Sequence, residues 1–161
     1  MTRRLRPVLL IALVVLLDRL TKLYIRANWS DSDLVPVIRG FFNIVHVENP
    51  GAAFGIFAQG SHLVLIGISV VVMCVVAVML WKQPPGHPLV ESGLALVFGG
   101  ALGNFWDRAF RGTVTDFLQF FFGSYEFPSF NVADTAINVG AALLILDLLL
   151  NRKKQTIPVQ S

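Results

Sequence analysis

The chain has little with which to bind a metal, close a disulfide or cradle a nucleotide. It carries one cysteine among 161 residues, so no internal disulfide can form and no cysteine cluster can ligate zinc. That residue, Cys74, lies in an apolar run, where a structural position is the simplest reading. His46, His62 and His87 show no H-E-x-x-H spacing, and no Gly-Lys-Ser/Thr motif follows a glycine-rich loop. No metal, nucleotide or other cofactor is therefore expected. Charge is scarce as well: charged residues make up 14% of the chain against 55% hydrophobic, a balance too apolar for an ordinary soluble domain. The net charge of +3 carries no nucleic-acid signal, because Lys and Arg collect at the cytoplasmic flanks of membrane helices. Internal repeats and low-complexity tracts are absent, and nothing specifies an oligomer.

Long apolar runs are what the sequence has. A membrane-spanning helix needs about 20 mostly apolar residues, and four stretches qualify: Pro7 to Ile25, Ser61 to Trp81, Leu89 to Phe105 and Val132 to Leu150. Arg3, Arg4 and Arg6 before the first run resemble the start of a cleavable signal peptide, but no small-x-small site follows and the helix continues through Asp18 and Lys22. An uncleaved first span is expected. Arg152-Lys153-Lys154 closes the fourth run. Basic clusters at both ends place both termini on the cytoplasmic side, which requires an even number of spans. Residues 26 to 60 and 106 to 131 then face outward, although Arg26, Arg39, Arg108 and Arg111 run against the charge rule.

The expectation is one integral membrane domain over residues 1–161, with an all-α membrane fold of four transmembrane helices. Two outer features are added to it. Phe41 to Val47, rich in β-branched and aromatic residues and ending at Asn49-Pro50-Gly51, reads as a small β-hairpin, with Gly51 where a turn needs positive φ. Phe117, Phe120, Phe121, Phe122, Tyr125, Phe127 and Phe130 read as an aromatic segment at headgroup level.

Ionisable groups inside spans are costly, so each needs a partner or a function. Asp18 and Lys22 stand four apart on one helix face, either as a neutralised pair or as part of a site. Asp147 and Glu91 read as positional charges near helix ends. The spacing Gly99-x-x-x-Gly103 lets another helix approach closely. Beyond it come Asn104, Asp107 and Arg108, placed to orient a substrate or to bond neighbouring helices. Asn131 suits a helix N-cap, and Asp134 the positive end of the helix dipole. Asp134 lies 18 positions before Arg152, roughly 27 Å along a helix, and so belongs to the outer interface with Asp116. If the two carboxylates meet, they share one proton over a broad pH range. The ionised member then activates water and the protonated member polarises a peptide carbonyl. The rival is a proton-coupled carrier or channel with Asp18, Asp116 and Asp134 as a relay. Its sites would lie near the midplane between repeated halves, and a non-catalytic four-helix scaffold would need no outer carboxylates.

Five segments, in order, resemble the motifs of the bacterial lipoprotein signal peptidases, or signal peptidase II. They are Asp18-Arg19-Leu20-Thr21-Lys22, Asn49-Pro50-Gly51-Ala52-Ala53-Phe54, Gly99 to Arg108, Gly112-Thr113-Val114-Thr115-Asp116-Phe117, and Phe127 to Asp134. The resemblance implies an aspartyl endopeptidase of the bacterial cytoplasmic membrane. Its substrates would be diacylglyceryl-modified prolipoproteins, cut just before the lipidated cysteine at the extracytoplasmic face, in contact with membrane lipid. It also implies that Asp116 and Asp134 are the catalytic pair, and that Asn49, Gly51, Asn104, Arg108 and Asn131 line or support the site, with Asp18 and Lys22 nearby. Arg19 stands where many members have Gln, and Pro50 where some have Thr.

Overall fold

A computed structural model describes residues 5–31, 33–51, 61–84 and 86–152. Arg3, Arg4, Lys153, Lys154 and the Ala52-Ala53-Phe54 segment lie outside the described residues. The four apolar runs are helices: α1 Leu5–Asn28, α2 Ser61–Lys82, α3 Pro88–Arg111 and α4 Val132–Arg152. Three contain stretches long and apolar enough to cross a membrane, Leu63–Lys82, Pro88–Arg111 and Val132–Asn151. The third helix runs further than its apolar stretch, past Phe105 to Arg111, because polar side chains continue a helix as readily as apolar ones. It ends where Gly112 turns left-handed at φ 79° and donates its N–H to the Arg108 carbonyl.

Helix α3 is the hub, packed against α1, α2 and α4. Its glycines make this possible. A Cβ on Gly100 would lie 2.3 Å from the Ala133 carbonyl oxygen of α4, and one on Gly103 would lie 2.6 Å from the Asp18 carboxylate of α1. Gly99 meets Val14 of α1, while Gly93 and Gly140 face each other across the α3–α4 seam. With no driving force from water between helices in lipid, such close backbone approach is what dispersion and polar contacts need.

The two outer segments are one structure. Strands β1 Leu34–Ile38, β2 Phe42–Asn49, β3 Val114–Phe122 and β4 Tyr125–Phe130 form a single antiparallel sheet in the order β1-β2-β3-β4. This corrects the reading of a lone hairpin beside a separate aromatic segment. The hairpin turn is also elsewhere: Phe41 N–H bonds the Ile38 carbonyl across Gly40, whose φ is 75°, whereas Pro50-Gly51 ends β2. Gly51 does take the positive φ expected of it, 101°. Pairing of β2 with β3, Val47 opposite Asp116 and Asn49 opposite Val114, puts both segments at the same end of the helices. Each edge strand carries a proline beside a register shift, Pro36 in β1 and Pro128 in β4. A missing N–H is tolerated there. Phe42, Phe120 and Phe130 stack across the strands at 4.7 and 5.8 Å, which explains an aromatic density that composition alone assigned to the headgroup layer.

Candidate active site

The start of α4 is built from side chains that close its open N–H groups. Asn131 Oδ1 accepts from the Asp134 N–H at 3.0 Å, and Asp134 Oδ2 accepts from the Asn131 N–H at 3.3 Å. This is a reciprocal capping box with Asp in the place of Glu. A third N–H, from Ala133, is taken by Asp18 Oδ1 of α1 at 3.0 Å. The Asn131 cap read from the sequence is present, and a first-helix carboxylate completes it.

Asp116 reaches the same place from β3. Its side chain is 2% exposed and both oxygens accept amide N–H groups: Asn49 Nδ2 at 2.9 Å and Asn131 Nδ2 at 2.7 Å. Asn49 is itself fixed, since its Oδ1 accepts the Gly51 N–H at 2.8 Å. A residue with a Cβ would resist the φ that Gly51 adopts there. Burial pushes the Asp116 carboxyl up, and the Asp134 charge adds to it. The Asn49 and Asn131 hydrogen bonds and the Lys22 charge oppose the rise, which ends at about 6. The two carboxylates are thus joined through Asn131, and Asp116 senses the charge of Asp134.

Beneath them lies a cluster of ion pairs between α1 and α3. Lys22 Nζ meets Asp18 Oδ2 at 2.9 Å, Asp107 Oδ2 at 2.8 Å and Asn104 Oδ1 at 3.0 Å. Asn104 Nδ2 in turn donates to Asp134 Oδ1 at 2.7 Å. Arg19 Nη1 binds Asp107 Oδ1 at 2.6 Å with its guanidinium 5.7 Å from the Trp106 ring, and Arg26 lies 3.7 Å from the same carboxylate oxygen. The arginine that departs from the resemblance therefore has a partner on the neighbouring helix. Arg108 is close enough to feel the charges of Asp134, Asp116 and Asp107, yet its buried Nε has no hydrogen-bond partner among the described residues.

All nine residues singled out from the sequence belong to this neighbourhood, with Arg108 attached through the charges of Asp134, Asp116 and Asp107. Sequence reasoning named Asp107 only among the polar residues at the end of α3 and not among the site residues, yet it is fully buried and pairs with three cations. Its signal was available: it sits four residues after Gly103, on the face that the glycines press against α1. Glu48 was also missed. It accepts from Thr113 and from Thr115 at 2.8 Å and lies 3.2 Å from His46 and 3.5 Å from Arg111. Burial raises its carboxyl, but those bonds and the Arg111 charge outweigh burial and hold it below the ordinary glutamate range. No motif announces that cluster, which pairing of β2 with β3 assembles.

A family model described as signal peptidase (SPase) II matches residues 10–150. The chain belongs to the signal peptidase II family. It is 44% identical to the lipoprotein signal peptidase of Solibacter usitatus, with 86% of this chain and 87% of that one aligned. Identity is 44% with the Bacillus pumilus enzyme, over 88% and 90% of the two chains, and 41% with that of Yersinia pestis, over 89% and 86%. Two solved bacterial membrane enzymes share the fold. One has TM-score 0.86 and 31% identity over 97% of this chain and 94% of its own, the other TM-score 0.83 and 33% identity over 89% and 92%. Membership of the signal peptidase II family makes the chain a membrane-embedded peptide hydrolase that acts in lipoprotein processing.

Proposed function

We propose that Asp116 and Asp134 are the catalytic pair of an aspartyl endopeptidase that removes signal peptides from diacylglyceryl-modified prolipoproteins just before the lipidated cysteine. The observation that carries this reading is the pair of carboxylates on one shared asparagine, Asp116 on its side-chain NH2 and Asp134 on its backbone N–H, with Asp116 raised to about 6 by burial and by the other's charge. With one proton between them, held on Asp116, the chemistry balances. Asp134 takes a proton from water as the water oxygen bonds to the scissile carbonyl carbon, and Asp116 gives its proton to the carbonyl oxygen. On collapse the C–N bond breaks, the leaving nitrogen takes the proton from Asp134, and Asp116 recovers its own.

The reading extends to the whole molecule. Helix α1, at 24 residues and thus about 36 Å, is a fourth span whose central charges are cancelled by α3. The termini lie in the cytoplasm of a bacterial inner membrane, and the sheet lies at the outer headgroup level, where a lipid-bearing cysteine is held. A single domain serves this purpose, and phospholipid surrounds it. A proton relay is disfavoured because Asp18 is occupied by Lys22 and the Ala133 N–H.

The test compares Asp116→Asn, Asp134→Asn and the double variant on a diacylglyceryl-modified precursor in detergent. Each single change should reduce cleavage at least roughly 100-fold, the low end for a positioned acid or base. The double change should be little worse, because residues that act together fail together. An Asp134→Asn enzyme that keeps more than about a tenth of wild-type cleavage overturns the assignment, since that loss is below what an acid or base contributes.

A further inference from the structure

An asparagine beside a carboxylate can present either its oxygen or its NH2 group, and the two choices favour opposite protonation states. Only the NH2 group donates to an ionised carboxylate; only the oxygen accepts from a protonated one. In this chain the choice at Asn104 is made by Lys22. An ammonium is a donor only, so the atom of Asn104 that lies 3.0 Å from Lys22 Nζ is the oxygen, and the NH2 group faces Asp134 Oδ1 at 2.7 Å. The other donor to that oxygen, Asn131 Nδ2 at 3.4 Å, is too long to hold it and is engaged by Asp116 at 2.7 Å. Lys22 is fully buried, and three acceptors surround it: Asp18, Asp107 and Asn104.

We propose that Lys22 is a positioning residue that works through Asn104: by holding the amide oxygen it keeps an N–H aimed at Asp134 and so maintains Asp134 as the ionised, water-activating member of the pair. The charged groups around this device are Asp18 on α1, Asp107 and Arg108 on α3, and Asp116 on β3, with Arg19 and Arg26 acting through Asp107. Asn131 and Asn49 are locked in the same way by the backbone N–H groups of Asp134 and Gly51, but their NH2 groups face Asp116, where burial outweighs the preference for the ionised form that they add. Lys22 alone does this with a charged side chain carried over from another helix. The inference rests on the catalytic assignment above.

The experiment reads the acid limb of the pH profile of kcat/KM. In Asp18→Asn/Lys22→Met the donor is removed, the net charge is unchanged and residue 18 keeps an oxygen for the Ala133 N–H. The freed amide can turn, and the acid limb should move up by about one pH unit, the order expected for one lost hydrogen bond to a charged acceptor. Asn104→Leu leaves Lys22 and its ion pairs in place while removing the N–H, and should move the limb in the same direction. It tests the Asn104 link only; Lys22→Met/Asp107→Asn, which also removes the donor at constant net charge, decides the Lys22 role if the first double variant does not fold. A purely structural role for Lys22 lowers the thermal transition and scales activity equally at every pH; an unmoved limb in a folded variant overturns the proposal. Asp134→Asn is assayed alongside. If it abolishes cleavage while the limb stays fixed, only the Lys22 role fails, whereas an active Asp134→Asn removes the catalytic assignment itself.

Discussion

Two buried groups of carboxylates lie side by side in this molecule and are compensated in opposite ways. Asp18 and Asp107 are met by cations: Lys22 serves both, and Arg19 and Arg26 approach Asp107. Asp116 and the half-buried Asp134 are met by neutral amides from Asn49, Asn104 and Asn131. Charge opposite charge ties each of these carboxylates to a cation, and the first group serves as a fixed foundation. Amides orient a carboxylate without cancelling its charge. Two such carboxylates therefore still repel, and burial with that repulsion raises Asp116. The amides that meet them are held in place in part by the ion-paired group, through Lys22 and Asn104.

Breaking the ion-paired side should have the largest effect on stability. Asp107→Asn leaves three cations around a neutral amide, a change that costs about 3–5 kcal/mol when one partner of a buried pair is lost. The thermal transition in detergent should fall well before the remaining folded enzyme loses its cleavage rate. Gly100→Ala sharpens the contrast from the other side. Its new methyl would lie 2.3 Å from the Ala133 carbonyl, so the start of α4 must move away from α3. Overpacking of this sort costs roughly 1–3 kcal/mol, yet the Asn104–Asp134 contact is displaced with it, and cleavage should fall further than stability. An enzyme with a lowered thermal transition and full activity would show that the seam does not position Asp134.

The amide side should reveal itself through pH. The Asp116 carboxyl is raised to about 6, so the protonated form is complete below that value and is lost as pH rises through it. In free enzyme the basic limb of kcat/KM should accordingly begin near pH 6 and fall about tenfold per unit beyond it. Substrate covering the site removes more water and pushes the group further up, so the limb of kcat should lie at higher pH than that of kcat/KM. Coincident limbs, or a kcat/KM flat from pH 6 to 9, would mean that Asp116 does not carry the proton.

The helices and the site differ in how far they could be read without coordinates. Four apolar runs, the Asn131 cap and the Asp18–Lys22 pair are consequences of spacing along one chain segment, where 3.6 residues per turn and the thickness of a bilayer leave few choices. The left-handed turn at Gly51 was legible for the same reason. By contrast, the aromatic residues around Phe120 gave no sign that they were strands, because their partners in β2 lie some 75 positions away in sequence, with two helices in between. Asp107 looked like one of several polar residues at a helix end until α1 was seen against it.

What the sequence determined by itself is therefore local: apolar helices, their caps, their close-packing glycines and, through motifs in a fixed order, the family. Only tertiary structure decided that the two segments between the helices make one sheet, that a carboxylate of α1 caps α4, and that Asn49, Asn104 and Asn131 turn their NH2 groups toward Asp116 or Asp134. The physical reason is that an amide's orientation, like a carboxylate's proton, is set by whatever donor or acceptor faces it, and in this chain those partners come from other elements.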